Sequence, residues 1–288
     1  MKTQGRLTVR KIWFLAFALV AFITIQGCQE DGEELGISLE EEMEIVDNNN
    51  FVESTADEEL EIVAIAENAL NADDNPNGRL AGMCATRSYD AQAMILTIDF
   101  GNGCTGPYGR KRSGIIRVQY SDGPRSFNSS RVITFDNYSV DGKQVSGSIT
   151  SSKYVINAAG NYENTYTLVG YVVIYPGGDT FRISGERKRE IIEGFRDGVA
   201  ANGKVSITGT IKGVSTRGRE FTHTITTPII ADFACRASGG FLRISGVKEM
   251  RYVGLRRERI RTVDYGDGTC DNTITITINE RVYAVTGE

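Results

Sequence analysis

Residues 94–100 read MILTIDF and residues 271–279 read DNTITITIN, and both stretches have a period of two. In the first, Met94, Leu96, Ile98 and Phe100 point one way while Thr97 and Asp99 point the other. In the second, Ile274, Ile276 and Ile278 alternate with threonines. Such alternation marks an antiparallel strand with one buried and one wetter face. The pattern recurs between these two stretches. In GIIRVQY (114–120), Ile116, Val118 and Tyr120 oppose Arg117 and Gln119; in TYTLVGYVVIY (165–175), Tyr166, Leu168, Val172 and Ile174 read as one face. Turn signals punctuate the strands, among them Gly101-Asn102-Gly103, Asp141-Gly142, Pro176-Gly177-Gly178 and Asp267-Gly268. Asp-Gly and Asn-Gly form tight hairpins because both central residues need positive φ. No second helical period interrupts the strands, which leaves no place for parallel crossovers. Residues 79–288 are therefore predicted to form one all-β antiparallel meander of about a dozen strands, barrel- or sandwich-like, preceded by one short helix.

The helix is expected within residues 55–75. Thr55 and Glu58 have the spacing of a capping box. Ile62, Ile65, Ala66, Ala69 and Leu70 recur at helical spacing, and Asn75-Pro76-Asn77-Gly78 stops the run. Its narrow apolar stripe predicts docking on the β-domain. Residues 28–54 are acidic and broken by Asn48-Asn49-Asn50, so self-repulsion predicts a flexible, extended tether. The charge asymmetry is large. Residues 28–78 hold 17 acids and no Lys or Arg, whereas residues 79–288 hold 20 acids and 28 bases. Read in sequence, that is an acidic tail on an anion-facing body.

Residues 1–27 have the organisation of a leader. Lys2, Arg6, Arg10 and Lys11 precede a 14-residue apolar run from Ile12 to Ile25. A membrane-spanning helix needs about 20 apolar residues, so this run fits a secretory signal better. Ile25-Gln26-Gly27-Cys28 resembles the lipobox cleaved before a lipidated cysteine, which implies acyl chains such as palmitate on Cys28; an ordinary signal peptide with a chance cysteine is the alternative. By the same resemblance Gln29 favours the outer membrane. Glu30, Asp31, Glu33 and Glu34 resemble the acidic signal that sends Bacteroidota lipoproteins to the cell exterior. The expected location is the outer membrane, lipid-anchored and facing outward.

Cys28 apart, four cysteines remain, and an exported chain meets an oxidising compartment. Pairs Cys84–Cys104 and Cys235–Cys270 are favoured because each brackets a similar segment. Residues 96–104 and 261–270 echo one another as strand, Gly-rich turn and Cys, and would be neighbours if the sheet closed. Zinc is the rival reading, but a short C-x-x-C pair is missing and the chain has 1 His. The combination DFGNGCTGPYGRKRSG (99–114), ITFDNYSVDGKQVSGS (133–148) and DYGDGTCDN (264–272) resembles a set of uncharacterised Bacteroidota lipoproteins with D-[FY]-G-x-G-x-C and G-R-x-R-S-G elements. The resemblance covers most of residues 84–279. It implies a β-rich envelope lipoprotein and brings no activity with it.

Catalytic signatures are missing: the sequence has no G-x-S-x-G, H-E-x-x-H or P-loop. His223, in phase with Phe221 and Ile225, is read as an inward-facing core residue. No catalytic residue and no cofactor are therefore assigned, and a hydrolase with an unrecognised carboxylate pair is the alternative. Asp264, Asp267 and Asp271 could offer hard oxygen ligands to Ca²⁺, but the twelve-residue loop spacing is missing and Asp-Gly serves the hairpin itself. No metal is assigned. Three basic runs stand out, Arg110-Lys111-Arg112, Arg187-Lys188-Arg189 and the stretch 256–261. In the last, Arg257, Arg259 and Arg261 would share one strand face as a ladder about 13 Å long. The ladder is a possible anion-binding face for a polyanionic glycan; the plainer reading is a solvated face paired with Glu186, Glu190 and Glu258, or with the acidic tether. Nucleic acid is not expected, because aromatic interleaving is thin. These readings point to a non-enzymatic lipoprotein binding an extracellular or envelope partner, with a structural role in an envelope complex as the alternative.

Overall fold

The structure, a computed structural model, describes residues 38–72, 77–80, 83–124, 128–194, 202–253 and 260–286. The predicted leader (1–27), Cys28, Arg257 and Arg259 lie outside the described residues. Strand β1 is Gly78–Arg79, β2 Thr86–Asp90, β3 Ile95–Asp99, β4 Cys104–Thr105, β5 Lys111–Tyr120, β6 Arg131–Val140, β7 Lys143–Ser151 and β8 Val155–Ile156. There follow β9 Tyr162–Ile174, β10 Thr180–Glu193, β11 Lys204–Val214, β12 Glu220–Asp232, β13 Arg243–Tyr252, β14 Ile260–Asp267, β15 Thr273–Ile278 and β16 Arg281–Thr286. A long helix α1, Leu39–Ala72, precedes them, and a five-residue helix α2, Phe233–Ala237, stands between β12 and β13.

The strands form one antiparallel sheet of 16, the meander that alternation predicts. Fourteen follow one another along the sheet in chain order; the two-residue strands β4 and β8 pair beside β5 and β9. Register turns the alternating apolar residues into rows. Leu96, Val118, Ile133, Ile149 and Leu168 are successive partners across β3, β5, β6, β7 and β9, and all are buried. Each such side chain contributes roughly 1.5–3 kcal/mol by leaving water. β3 pairs with β2 and β5 while β14 pairs with β13 and β15, so the two echoing segments are not neighbours. Cys84–Cys104 and Cys235–Cys270 are both bonded, with Cα atoms 6.0 and 5.6 Å apart.

The phase predicted for residues 165–175 fails halfway. Tyr166 and Leu168 are buried as expected, but Tyr171 and Val173 are the buried residues thereafter, with Val172 and Ile174 on the other face. Gly170, at φ +54°, faces Gly147, at φ +95°, and the register slips there. A Cβ on Gly147 would collide with the Gly170 carbonyl, so only glycine lets the strands meet. Comparable slips at Gly114 in β5, opposite Asn137, and at Gly246 in β13 recur across the sheet. Bulges of this kind bend a sheet and increase its twist.

What the sheet bends around is α1. The helix starts well before the predicted position: residues 39–54, expected as an extended tether, are its first four turns or so. Ser38 caps it, its Oγ accepting the Glu41 N–H at 3.2 Å, and Glu40, Glu41 and Glu42 complement the positive helix start. Thr55 is no cap; it sits mid-helix and its hydroxyl donates to the Phe51 carbonyl at 2.7 Å. At 34 residues α1 is about 51 Å long. No narrow stripe exists either, because residues 55–63 are buried without a break. No helix among the described residues is long and apolar enough to cross a membrane.

Candidate functional site: a cleft over the buried acidic helix

A helix bearing eleven acids and no base can be buried only if its charges are paired and hydrogen-bonded. The sheet supplies the partners from strands far apart in its order. Glu53 accepts from Arg187 Nη2 at 2.8 Å, Arg243 Nη1 at 2.6 Å and Lys248 Nζ at 2.9 Å. One turn on, Asp57 accepts from Arg243 Nη2 at 2.7 Å and the Tyr166 hydroxyl at 3.0 Å. Glu61 takes Arg189 at 2.9 Å, and Glu67 takes Arg131 and the Tyr120 hydroxyl, each at 2.9 Å. Glu58 receives Arg110 at 3.0 Å, Arg236 at 2.9 Å and the buried Arg112. Burial works against the ionisation of Glu53, yet its surrounding cations hold it well below the usual carboxylate range. His223 is fully buried as predicted, edge-on to Phe221, with Nε2 3.3 Å from Glu53. Burial holds its pKa well below the ordinary range despite the pull of Glu53, and Arg187, Lys248 and Arg243 add to the opposition to another cation.

Glu59 is the exception. Its Oε2 accepts from the Tyr171 hydroxyl at 2.8 Å, while its Oε1 has no hydrogen-bond partner. Burial pushes its pKa up to about 8, the hydrogen bond from Tyr171 and the charges of Arg112 and Arg110 being too weak to prevent it. At neutral pH it is a protonated acid in the core.

The two halves of the sheet come together over one face of α1 at a cleft of about 360 Å³. Asp47, Asn50, Phe51 and Ser54 of α1 line it, with Arg110 and Asp141 from the β5–β7 side and Tyr265, Ile274, Val285 and Thr286 from β14–β16. Arg236, Phe241, Leu242 and Arg243 complete the lining. Local structure sets these side chains in place. Asp232 caps α2, accepting the N–H groups of Ala234 and Cys235 at 2.9 and 3.1 Å, and the Cys235–Cys270 bond ties α2 to the turn after β14. Phe241 N–H donates to Asn272 at 3.0 Å. The Phe51 ring lies between Arg110 and Lys143, at 4.4 and 4.1 Å from its centroid. Asp141 accepts from Arg110 Nε at 2.8 Å and from Lys111 N–H at 2.9 Å. Burial opposes its charge, but Arg110 holds Asp141 below its ordinary value; burial alone raises Asp47.

The predicted site residues fall elsewhere. Arg261 does not stand on a solvated ladder. It lies inward between Met250 and Ile278 in register, fully buried, its guanidinium 4.3 Å over the Tyr252 ring. The row it joins is apolar, so period-two alternation turned it into the core. Asp264, Asp267 and Asp271 are exposed and cap their own turns, accepting the N–H groups of Gly266, Thr269 and Thr273 at 2.9, 3.0 and 3.0 Å. Among the described residues no three His, Cys, Asp or Glu side chains are grouped to hold a metal. The runs 110–112 and 187–189 do reach a common centre, through Arg110, Arg112, Arg187 and Arg189, by way of α1. Glu53, Arg236 and Arg243 carry no motif in the sequence, and Glu58 stands there only as a capping-box residue. The available signal is phase: Arg187 and Arg189 share the face of Phe181, Ile183 and Ile191, all buried.

Fold and site together define a class: a curved antiparallel meander, filled by an N-terminal acidic helix through buried ion pairs, with a cationic cleft over that helix. The chain matches no protein-family model, no curated protein and no solved structure.

Proposed function

We propose that this chain is an outer-membrane lipoprotein, anchored at Cys28 and facing the exterior, whose β-domain binds a small ligand in the cleft without transforming it. The observation that carries the binding part is the cleft itself. It has the size of ordinary ligand sites, apolar walls, and a few convergent polar groups. Arg112, Arg187, Arg189, Arg243 and Lys248 hold the carboxylates of α1, so the inward part of the basic excess favours a small ligand in the cleft over a polyanionic glycan. A hydrolase is less well supported. Of the two carboxylates lining the cleft, Asp141 bridges Arg110 and the Lys111 N–H, which leaves Asp47 without a second acid or base of matched shift.

Anchoring rests on the leader pattern and is tested in a Bacteroidota host. The wild-type chain is expected in the outer-membrane fraction, cleaved when intact cells are treated with protease. The Cys28→Ala variant is expected in the soluble fraction. Equal membrane partitioning of both would refute the anchor, and protection of the wild-type chain in intact cells would refute the outward face.

A further inference from the structure

The cleft is backed by two charge clusters that do not balance. Arg110, Arg112 and Arg236 meet Glu58 and Asp141, and Arg187, Arg243 and Lys248 meet Glu53 and Asp57. Among the described residues these are six bases against four carboxylates. Glu59, the carboxyl next to them, is protonated at neutral pH. Asp47 in the cleft raises the carboxylates to five and still leaves one cation over. The excess is also visible as unused donors. Arg110 is buried, and its Nη2 has no hydrogen-bond partner. Arg236 spends only its Nε, on Glu58, and its side chain stays 25% exposed. A buried, unpaired guanidinium nitrogen is costly to leave without an acceptor. The remaining wall is largely apolar and aromatic, broken by Asn50, Ser54 and Thr286.

We infer that the cleft takes an amphiphilic organic anion, its head group on Arg236 and Arg110 and its tail against Phe241, Leu242, Ile274 and Val285. An Arg fork matches a carboxylate, phosphate or sulfonate, and two guanidiniums in reach of one head favour a single negative charge over a neutral polar group. A long polyanion does not fit a site of this size with so much apolar wall. The inference rests on reading the cleft as a ligand site and adds the chemistry of the ligand.

The test is calorimetry on the full chain carrying Cys28→Ser, purified without detergent, with three probes sharing one tail: decanoate, decanol and decyltrimethylammonium, each below its micellar concentration. Decanoate is expected to bind at one site at least tenfold more tightly than decanol. Arg236→Gln is expected to weaken decanoate about tenfold and leave decanol unchanged. The comparison of probes on the wild-type domain stands even if that variant fails to fold. Displacement of decanoate by phosphatidylglycerol vesicles would assign the anion to a bilayer lipid, and its retention would assign it to a free acid; the proposal holds either way. Equal or tighter binding of decanol or decyltrimethylammonium would overturn the anionic class while leaving a ligand site. No saturable binding of any probe would overturn both.

Discussion

Glu59→Gln gives the sharpest test of the buried charge layer, because one carboxyl in it is neutral. The Glu59 side chain is fully buried, and its pKa stands at about 8 in the folded chain against 4.5 for an ordinary glutamate. In the unfolded chain the group loses its proton as pH rises through 4.5; in the folded chain it keeps the proton until about 8. Between those values the folded state binds one more proton, so rising pH favours unfolding. The slope is about 1.4 kcal/mol per pH unit, and over the full interval the loss is about 5 kcal/mol. Glutamine has nearly the shape of the protonated acid and does not titrate. Urea unfolding of both proteins, disulfides intact, should be followed at pH 5, 6, 7 and 8. Far-ultraviolet circular dichroism suits the purpose, because the sole tryptophan, Trp13, lies outside the described residues. Near pH 5 the variant should be level with the wild type or about 1 kcal/mol weaker, its amide lacking one partner. With each pH unit it should gain about 1.4 kcal/mol on the wild type and be the more stable protein at pH 8. All other titrating groups cancel in the difference. Parallel curves from pH 5 to 8 would show that Glu59 ionises in the fold and would refute the reasoning.

Glu53→Gln removes the carboxylate shared by Arg187, Arg243 and Lys248 and should cost about 3–5 kcal/mol in the same unfolding assay; a loss under about 1 kcal/mol would mean that water or Asp57 already compensates those cations. Amide hydrogen exchange should find residues 55–63 among the slowest in the chain, as expected for a helix segment buried without a break. Exchange there as fast as in an unstructured peptide would restore the tether.

The strands were legible because a half-buried antiparallel strand has to alternate, and a five-residue stretch such as Ile116 to Tyr120 already shows it. The two disulfides were legible from what they bracket. The error in β9 has a local cause: Gly170 and Gly147 form a bulge, and one inserted residue exchanges the two faces beyond it. The misreading of α1 has a global one. Its polarity alone points to solvation, although Ser38 and Glu41 have capping-box spacing and Glu, Leu, Ala and Met favour a helix. A segment of acids without bases and a body with eight excess bases were assigned to separate environments. Each was the other's counterion. Only the phase of Arg187, Arg189, Arg112 and Lys248 within their strands, in step with isoleucines, tyrosine and methionine, carried that information. The cleft was not legible, since Phe51, Asp141, Arg236 and Val285 come together only through the curvature of the sheet.

The meander and its helix also impose an order on folding. Consecutive strands pair by hairpins, so almost every sheet contact joins residues near in sequence and can form early. Contacts of α1 are of the opposite kind: Glu53 meets Arg243 across 190 residues and Asn50 meets Tyr265 across 215. Although the helix comes first in the chain, Glu53 and Asp57 gain Arg243 and Lys248 only when β13 exists. Until that part of the chain is in place, the carboxylates of Glu53 and Asp57 lack part of their cationic shell and repel one another. The seating of α1 is then the committing event, after which neither half of the charge layer can leave without the other.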